Sequence, residues 1–172
     1  MPSMPHSFFN RPVLQVAEEL IGCYLVRKID SRVDRYLITE TEAYDGFEDK
    51  ASHAHCGETE RNSIMFKSAG HIYVYFTYGM HWMLNIVTGP KDYPAAVLIR
   101  CIEGTSGPGR ITKKLKINGK LNKIKLEKKT GLWIESGKIP MGSKIKKTAR
   151  IGVTYAGPEW SKKKYRFVLE TK

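Results

Sequence analysis

Ile38-Thr39-Glu40-Thr41-Glu42-Ala43-Tyr44 is the stretch whose reading decides the fold. Side chains on an extended chain alternate with a period of two, so a strand kept straight to its end projects Glu40, Glu42 and Tyr44 to one face. His53 follows eleven positions after Glu42. A carboxylate at the mouth of a sheet is partly desolvated, which raises its proton affinity toward that of a useful general base. A solvated acid at a strand end is the ordinary meaning of such a pattern taken alone.

The surrounding segments extend this strand into a sheet. Asn10-Arg11-Pro12 reads as a helix start, with Asn10 as N-cap and Pro12 in the first turn. Leu14, Ala17, Leu20 and Ile21 recur at helical spacing before a stop at Gly22. Cys23 to Arg27 and Tyr36 to Glu42 read as strands joined by a polar link around Asp30-Ser31. Residues 45–62 are polar and form a long loop, or a loop with one helical turn, of the length that is usually functional. His71 to Tyr78 and His81 to Val87 are rich in β-branched and aromatic residues and predict a β-hairpin with Gly79 near its tip. Ala95 to Glu103 is a further apolar strand, and a Gly-rich break at 104–109 leads into a short basic helix, Arg110 to Lys116. Lys120 to Lys129 reads as surface. Leu132 to Glu135, Ala149 to Val153 and Tyr165 to Glu170 supply the later strands. One early helix followed mostly by strands predicts an α+β fold: a single domain over residues 1–172, with a curved, mostly antiparallel sheet, peripheral helices and a protruding hairpin.

Composition narrows the class. The chain has 172 residues, 41% of them hydrophobic and 10% aromatic, enough to bury a core without disulfides or metal. Residues 1–109 hold 10 Lys/Arg and 13 Asp/Glu, whereas residues 110–172 hold 19 Lys/Arg and 4 Asp/Glu. The net charge of +12 is therefore built entirely in the second part, which points to a polyanionic partner. Cys23, Cys56 and Cys101 are odd in number and form no C-x-x-C pair, which suits a reducing compartment. No signal-peptide pattern or membrane-length apolar run is visible, so the expectation is an intracellular protein: cytoplasm and nucleoid in a bacterium, nucleus in a eukaryote.

Three motifs compete for the chemistry. His53, His55 and Cys56 carry metal-ligand side chains, but no second cluster completes a site, and no metal is expected. Gly104 to Arg110 departs from the phosphate-loop pattern at Arg110 and Ile111. Its backbone N–H groups would still suit a DNA phosphate. The aromatic run Tyr73-Val74-Tyr75-Phe76-Thr77-Tyr78 is more often core than ligand platform. Tyr78 differs, because a large ring at a hairpin tip is costly to expose without a partner.

The full set, in this order, resembles the alkylpurine (3-methyladenine) DNA glycosylase family, of the alkyladenine glycosylase type. The matching stretches are Phe8 to Pro12, Ala17 to Arg27, Thr39 to Tyr44 with Glu48, Asp49 and His53, and Arg61-Asn62 with Met65-Phe66. They continue through Tyr73-Val74-Tyr75 with Tyr78-Gly79-Met80, Asn85-Ile86, Val97 to Arg100 and Gly107 to Arg110. Ala149 to Val153 with Trp160 completes the set. The resemblance implies a monofunctional enzyme of base excision repair. It would flip alkylated or deaminated purines (3-methyladenine, 7-methylguanine, hypoxanthine, ethenoadenine) out of double-stranded DNA and hydrolyse the N-glycosidic bond.

In that scheme Glu42 is the base that activates water, and Arg100 helps to hold it. The target base lies between Tyr44 on one face and His53 and Tyr75 on the other. Asn85 guards against guanine and Tyr78 is the wedge that enters the duplex. Neither metal nor organic cofactor is implied, the protein is expected to act as a monomer, and no amine nucleophile for strand cleavage is evident. The alternative is a non-catalytic nucleic-acid or lesion-binding protein that keeps the fold. After Arg100 this sequence is shorter than the family pattern, which usually carries an insertion with a basic helix before Gly-Pro-Gly.

Overall fold

The computed structural model describes residues 1–171. Two short helices come first, α1 (His6–Phe9) and α2 (Val13–Glu19). Asn10 is not an N-cap: it closes α1, its N–H bonding to the His6 carbonyl at 3.2 Å. The residue before a proline is steered out of the helical region, so α2 starts only after Pro12. Its buried side, Val13, Val16 and Ala17, lies on the sheet, and Gly22 leaves the helix at φ +86° as a C-terminal stop requires.

The strands are β1 (Tyr24–Ile29), β2 (Arg32–Asp45), β3 (Ile72–Thr77), β4 (His81–Val87), β5 (Ala95–Ile102), β6 (Thr105–Ser106), β7 (Leu132–Glu135), β8 (Lys144–Thr148) and β9 (Arg166–Glu170). All pairings between them are antiparallel, in the order β3-β4-β5-β2-β1-β7, with β6 on β5 and the β8–β9 pair on β2. The α+β class therefore stands. β2 begins earlier and ends later than its sequence suggests, because a two-residue turn with Asp30 at φ +55° folds β1 directly onto it. Its first half pairs with β1 and its second half with β5 and β9.

Residues 149–153 form no strand, contrary to expectation. The strand is the lysine-rich segment just before them, β8, and Gly152 at φ +74° helps to turn the following stretch across the sheet. Lys120 to Lys129 is not wholly surface either, since Leu121 and Leu126 enter the core. The basic helix is α3 (Pro108–Lys114), and α4 (Gly157–Lys162) comes last.

Alternation sorts the strands into two faces. Ala43, Ile72, Val74, Leu84, Ile86, Val97 and Ile99 join α2 and α3 in the main core. Glu42, Tyr44, Tyr73, Tyr75, Asn85 and Leu98 alternate with them and face the other way. The β3–β4 hairpin is held next to its tip by close approaches. A Cβ at Gly109 would come within 2.8 Å of the His81 ring, and one at Gly119 within 2.9 Å of Trp82.

Candidate active site

Two compensating bulges shape the site. Ile38 pairs with Ile102 and Glu40 with Cys101, leaving Thr39 extra on β2; Thr41 then pairs with Ile99, leaving Arg100 extra on β5. A bulge turns consecutive side chains toward one side. Ile99 and Ile102 accordingly stay in the core, while Arg100 and Cys101 both reach Glu40.

Glu42 is fully buried. Its Oε2 accepts from the Tyr44 hydroxyl at 2.9 Å and its Oε1 from the Ile151 N–H at 2.8 Å. Arg100 Nε stands 3.6 Å from Oε1. Burial pushes the Glu42 carboxyl pKa up, and the Arg100 charge and these two hydrogen bonds offset only part of that. Glu40 behaves oppositely. Burial acts upward there too, but hydrogen bonds from Arg166 and Cys101 and the two arginine charges hold it below the ordinary value.

Beside this pair lies a narrow aromatic slot, lined by Tyr44, His53, Tyr73, Tyr75 and Asn85, among others. It shares Tyr44, His53, Tyr75 and Tyr155 with a wider outer cleft, which Arg100, Ile151 and Tyr78 also line. The sequence suggests an acid at the mouth of the sheet, but Glu42 lines neither space. It sits behind the wall made by Tyr44, Arg100 and Ile151, because the 149–153 segment crosses in front of it.

His53 meets Tyr75 edge to face at 4.6 Å and holds the Tyr73 hydroxyl at 3.0 Å through Nδ1. Burial against these rings and the nearby Arg61 charge push its pKa down to about 4, although the residue as a whole is exposed. His53 is therefore neutral at physiological pH. Its loop is set by buried Asn62, whose Nδ2 donates to the His53 and Gly57 carbonyls. Asn85 Nδ2 donates to the Tyr73 carbonyl at 3.3 Å. Tyr78 stands apart from this group at the hairpin tip, 82% exposed and at φ +53°, with Met80 exposed beside it.

Several contributors were not evident from sequence. Arg150 and Asp49 form a buried ion pair, with Arg150 Nη2 donating to Asp49 Oδ1 at 2.8 Å. The same guanidinium lies 4.8 Å over the Tyr44 ring and donates to the Ala43 carbonyl. It thus braces the Tyr44 ring and the segment that presents Ile151. Arg61 covers Tyr75 at 5.0 Å. Tyr155 lines both spaces and ties down through its hydroxyl to the Ala51 carbonyl. Arg150 and Arg61 lie in motifs already noted, but nothing in the spacing announces their partners.

Comparison with known proteins fixes the family. The methylpurine-DNA glycosylase (MPG) family model matches residues 7–106 and 103–172. The chain belongs to the methylpurine-DNA glycosylase family. The two matched pieces overlap at residues 103–106, the β5–β6 turn and β6, where the chain is expected to be short. Relatives described as "Putative 3-methyladenine DNA glycosylase" include one from Methanocella arvoryzae, 42% identical over 179 residues (92% of this chain, 88% of the relative). Another, from Carboxydothermus hydrogenoformans, is 40% identical over 186 residues (97% and 95%). A third, from Chlorobium phaeobacteroides, is 46% identical over 142 residues (71% and 72%). As a methylpurine-DNA glycosylase family member, the chain is assigned to base-excision DNA repair, with DNA as substrate. Among the described residues no helix is long and apolar enough to cross a membrane, and no cluster of three or more metal-ligating side chains occurs.

Proposed function

We propose that this protein is a monofunctional glycosylase that hydrolyses the bond between deoxyribose and an alkylated or deaminated purine flipped from duplex DNA. The observation that carries this reading is the contact between wall and acid: Tyr44, which lines the aromatic slot, bonds one oxygen of the buried Glu42 carboxylate, while Ile151 and Arg100, which line the adjoining cleft, meet the other. The flipped base enters the slot between Tyr44 and the His53–Tyr75 pair. Cationic purines such as 3-methyladenine are drawn to electron-rich rings. Neutral lesions such as hypoxanthine need a hydrogen bond. With Tyr73 donating to Nδ1, neutral His53 carries its proton on Nε2 and offers it to the base. Asn85, at the slot's inner wall, meets the 2-amino group of guanine and disfavours it.

Glu42 acts as general base. Tyr44 and Ile151 each occupy one lone pair on its two oxygens, and a carboxylate has about four. A water held by Glu42 and Arg100 gives its proton to Glu42 as its oxygen bonds to C1′. The glycosidic electron pair leaves with the purine, giving free base and an abasic sugar. The carboxylate also opposes the positive charge that develops on the sugar. Tyr78 fills the gap left in the duplex, where unstacking costs a few kcal/mol. The protein acts as a monomer in the intracellular compartment that holds the DNA.

The test is incubation with duplexes bearing hypoxanthine or 3-methyladenine, without added metal, followed by chromatography for free base. Glu42→Gln is expected to slow single-turnover release by about 10²–10⁴-fold while leaving duplex binding intact. Binding without any release by the unmodified protein would instead support a lesion-binding role.

A further inference from the structure

Glu40 has no part in the reaction just described, yet three side chains donate to its carboxylate. Its Oε1 accepts from Arg100 Nε at 2.9 Å and from Arg166 Nε at 2.6 Å, and its Oε2 from the Cys101 thiol at 3.0 Å. Arg100 has two carboxylates within reach. It bonds to Glu40 and stands off from Glu42 at 3.6 Å, beyond hydrogen-bond range. The two bulges create this choice by turning Arg100 and Cys101 together toward Glu40.

We propose that Glu40 is a positioning residue that claims Arg100 and Arg166, so that Arg100 stands beside Glu42 without capturing it. The inference rests on the reading of Glu42 as the base. Two guanidinium groups and two carboxylates make a neutral set. With the Glu40 charge removed, both arginines are left with Glu42 alone, and a movement of about 1 Å would close the Arg100–Glu42 bond. A carboxylate so captured is a weaker base and is less available to water.

The groups facing Glu42 are Glu40 and Tyr44 from β2, Arg100 from β5, Arg166 from β9, Tyr75 from β3 and the Ile151 N–H. Tyr155 and Arg150 lie behind them. Within this set the Glu40 charge raises the proton affinity of Glu42 and Arg100 lowers it. Arg166 and Glu42 attract one another. Neutralising Glu40 therefore moves Glu42 titration to lower pH, and neutralising Arg166 moves it to higher pH. Side chains that held the strands together without their charges acting on Glu42 would produce no such opposed pair.

The experiment is single-turnover release of hypoxanthine from a duplex at saturating enzyme, between pH 5 and 9. It compares wild type with Glu40→Gln, Glu40→Asp, Arg166→Gln and Glu42→Gln. In Glu40→Gln the acid limb is expected to move down by about 1 pH unit and the plateau to fall roughly tenfold. Glu40→Asp keeps its limb near that of wild type, and the limb of Arg166→Gln moves up. Limbs that stay fixed, or that move the same way in Glu40→Gln and Arg166→Gln, overturn the positioning role alone. Undiminished release by Glu42→Gln overturns the base assignment and this proposal with it. If Glu40→Gln does not fold, Arg166→Gln decides: an upward shift supports the role and a fixed limb overturns it.

Discussion

The Tyr44 hydroxyl donates to Glu42 Oε2 at 2.9 Å, so one side chain both walls the aromatic slot and holds the buried carboxylate. The two residues are neighbours on one face because strand side chains alternate. That hydrogen bond favours the ionised form of Glu42, whereas burial opposes it.

Tyr44→Phe keeps the ring and removes only the donor. Glu42 then holds its proton to higher pH, so the acid limb of base release moves upward. Near pH 7 the rate falls by about tenfold or less, while affinity for a lesion-bearing duplex stays within a few-fold of wild type. A pH series of single-turnover rates checks this, and a downward shift would count against the assignment.

Stability should respond to Glu42 in the opposite sense from activity. Its carboxyl pKa is raised in the folded protein above the ordinary value of 4.5. The folded state then binds more protons than the unfolded state just above pH 4.5, and stability falls as pH rises through that window. Glu42→Gln removes the cost of burying the charge. Its Oε can still accept from Ile151, and its amide can donate to Tyr44. The variant is expected to melt a few degrees (~2–6 °C) higher than wild type at pH 7–8, with the gain vanishing below about pH 4.5. Thermal unfolding at several pH values measures this.

The fold and the site differ in how far they can be read from sequence. Period-two alternation makes the shared face of Glu42, Tyr44, Tyr73 and Tyr75 visible, and the Tyr-Gly-Met tip marks the hairpin. The bulges at Thr39 and Arg100 cannot be read that way, since counting by twos assumes an unbroken register. Ile151 and Val153 suggest a strand, but Gly152 lies between them at φ +74° and the segment turns instead. The Arg150–Asp49 pair spans 101 positions, and only the folded chain brings the two together. Net charge misleads in location: among the described residues, no lysine lines the slot or the cleft. The three lysines on β8 pair with Glu170 and Glu18 instead.

Arg150 and Asp49 are both fully buried, so removing one leaves an unpaired charge in the interior. Arg150→Met is expected to cost about 3–5 kcal/mol of stability. It should also loosen Tyr44, which loses the guanidinium over its ring. The double variant Arg150→Met/Asp49→Asn should recover part of the loss, since neither charge is then left alone. Urea denaturation of the three variants measures the coupling, and simple additivity of the two single effects would contradict it.

His53 and Tyr73 bear on which lesions are accepted. On the proposed tautomer, with Tyr73 donating, Tyr73→Phe removes the partner of Nδ1 and frees the His53 ring to carry its proton on either nitrogen. Neutral lesions, which depend on the Nε2 donor, should lose roughly fivefold to tenfold in excision rate. Cationic 7-methylguanine, held chiefly by ring contacts, should lose little. Equal losses on both substrates would show that Tyr73 only supports the wall.

Tyr78 offers the cleanest separation of binding from chemistry, because it lies on an exposed tip and touches neither Glu42 nor the slot. Tyr78→Ser should leave the melting temperature unchanged within a degree or two, since an exposed side chain contributes little to the core. It should reduce excision from duplex DNA by about 10–100-fold, the loss expected when a few kcal/mol of unstacking goes uncompensated. The deficit should shrink when the same lesion is opposite an abasic site or in single-stranded DNA, where there is less stacking to break. A fluorescent base beside the lesion would report flipping directly. Equal deficits on duplex and single-stranded substrates would mean that Tyr78 grips the backbone and does not fill the gap.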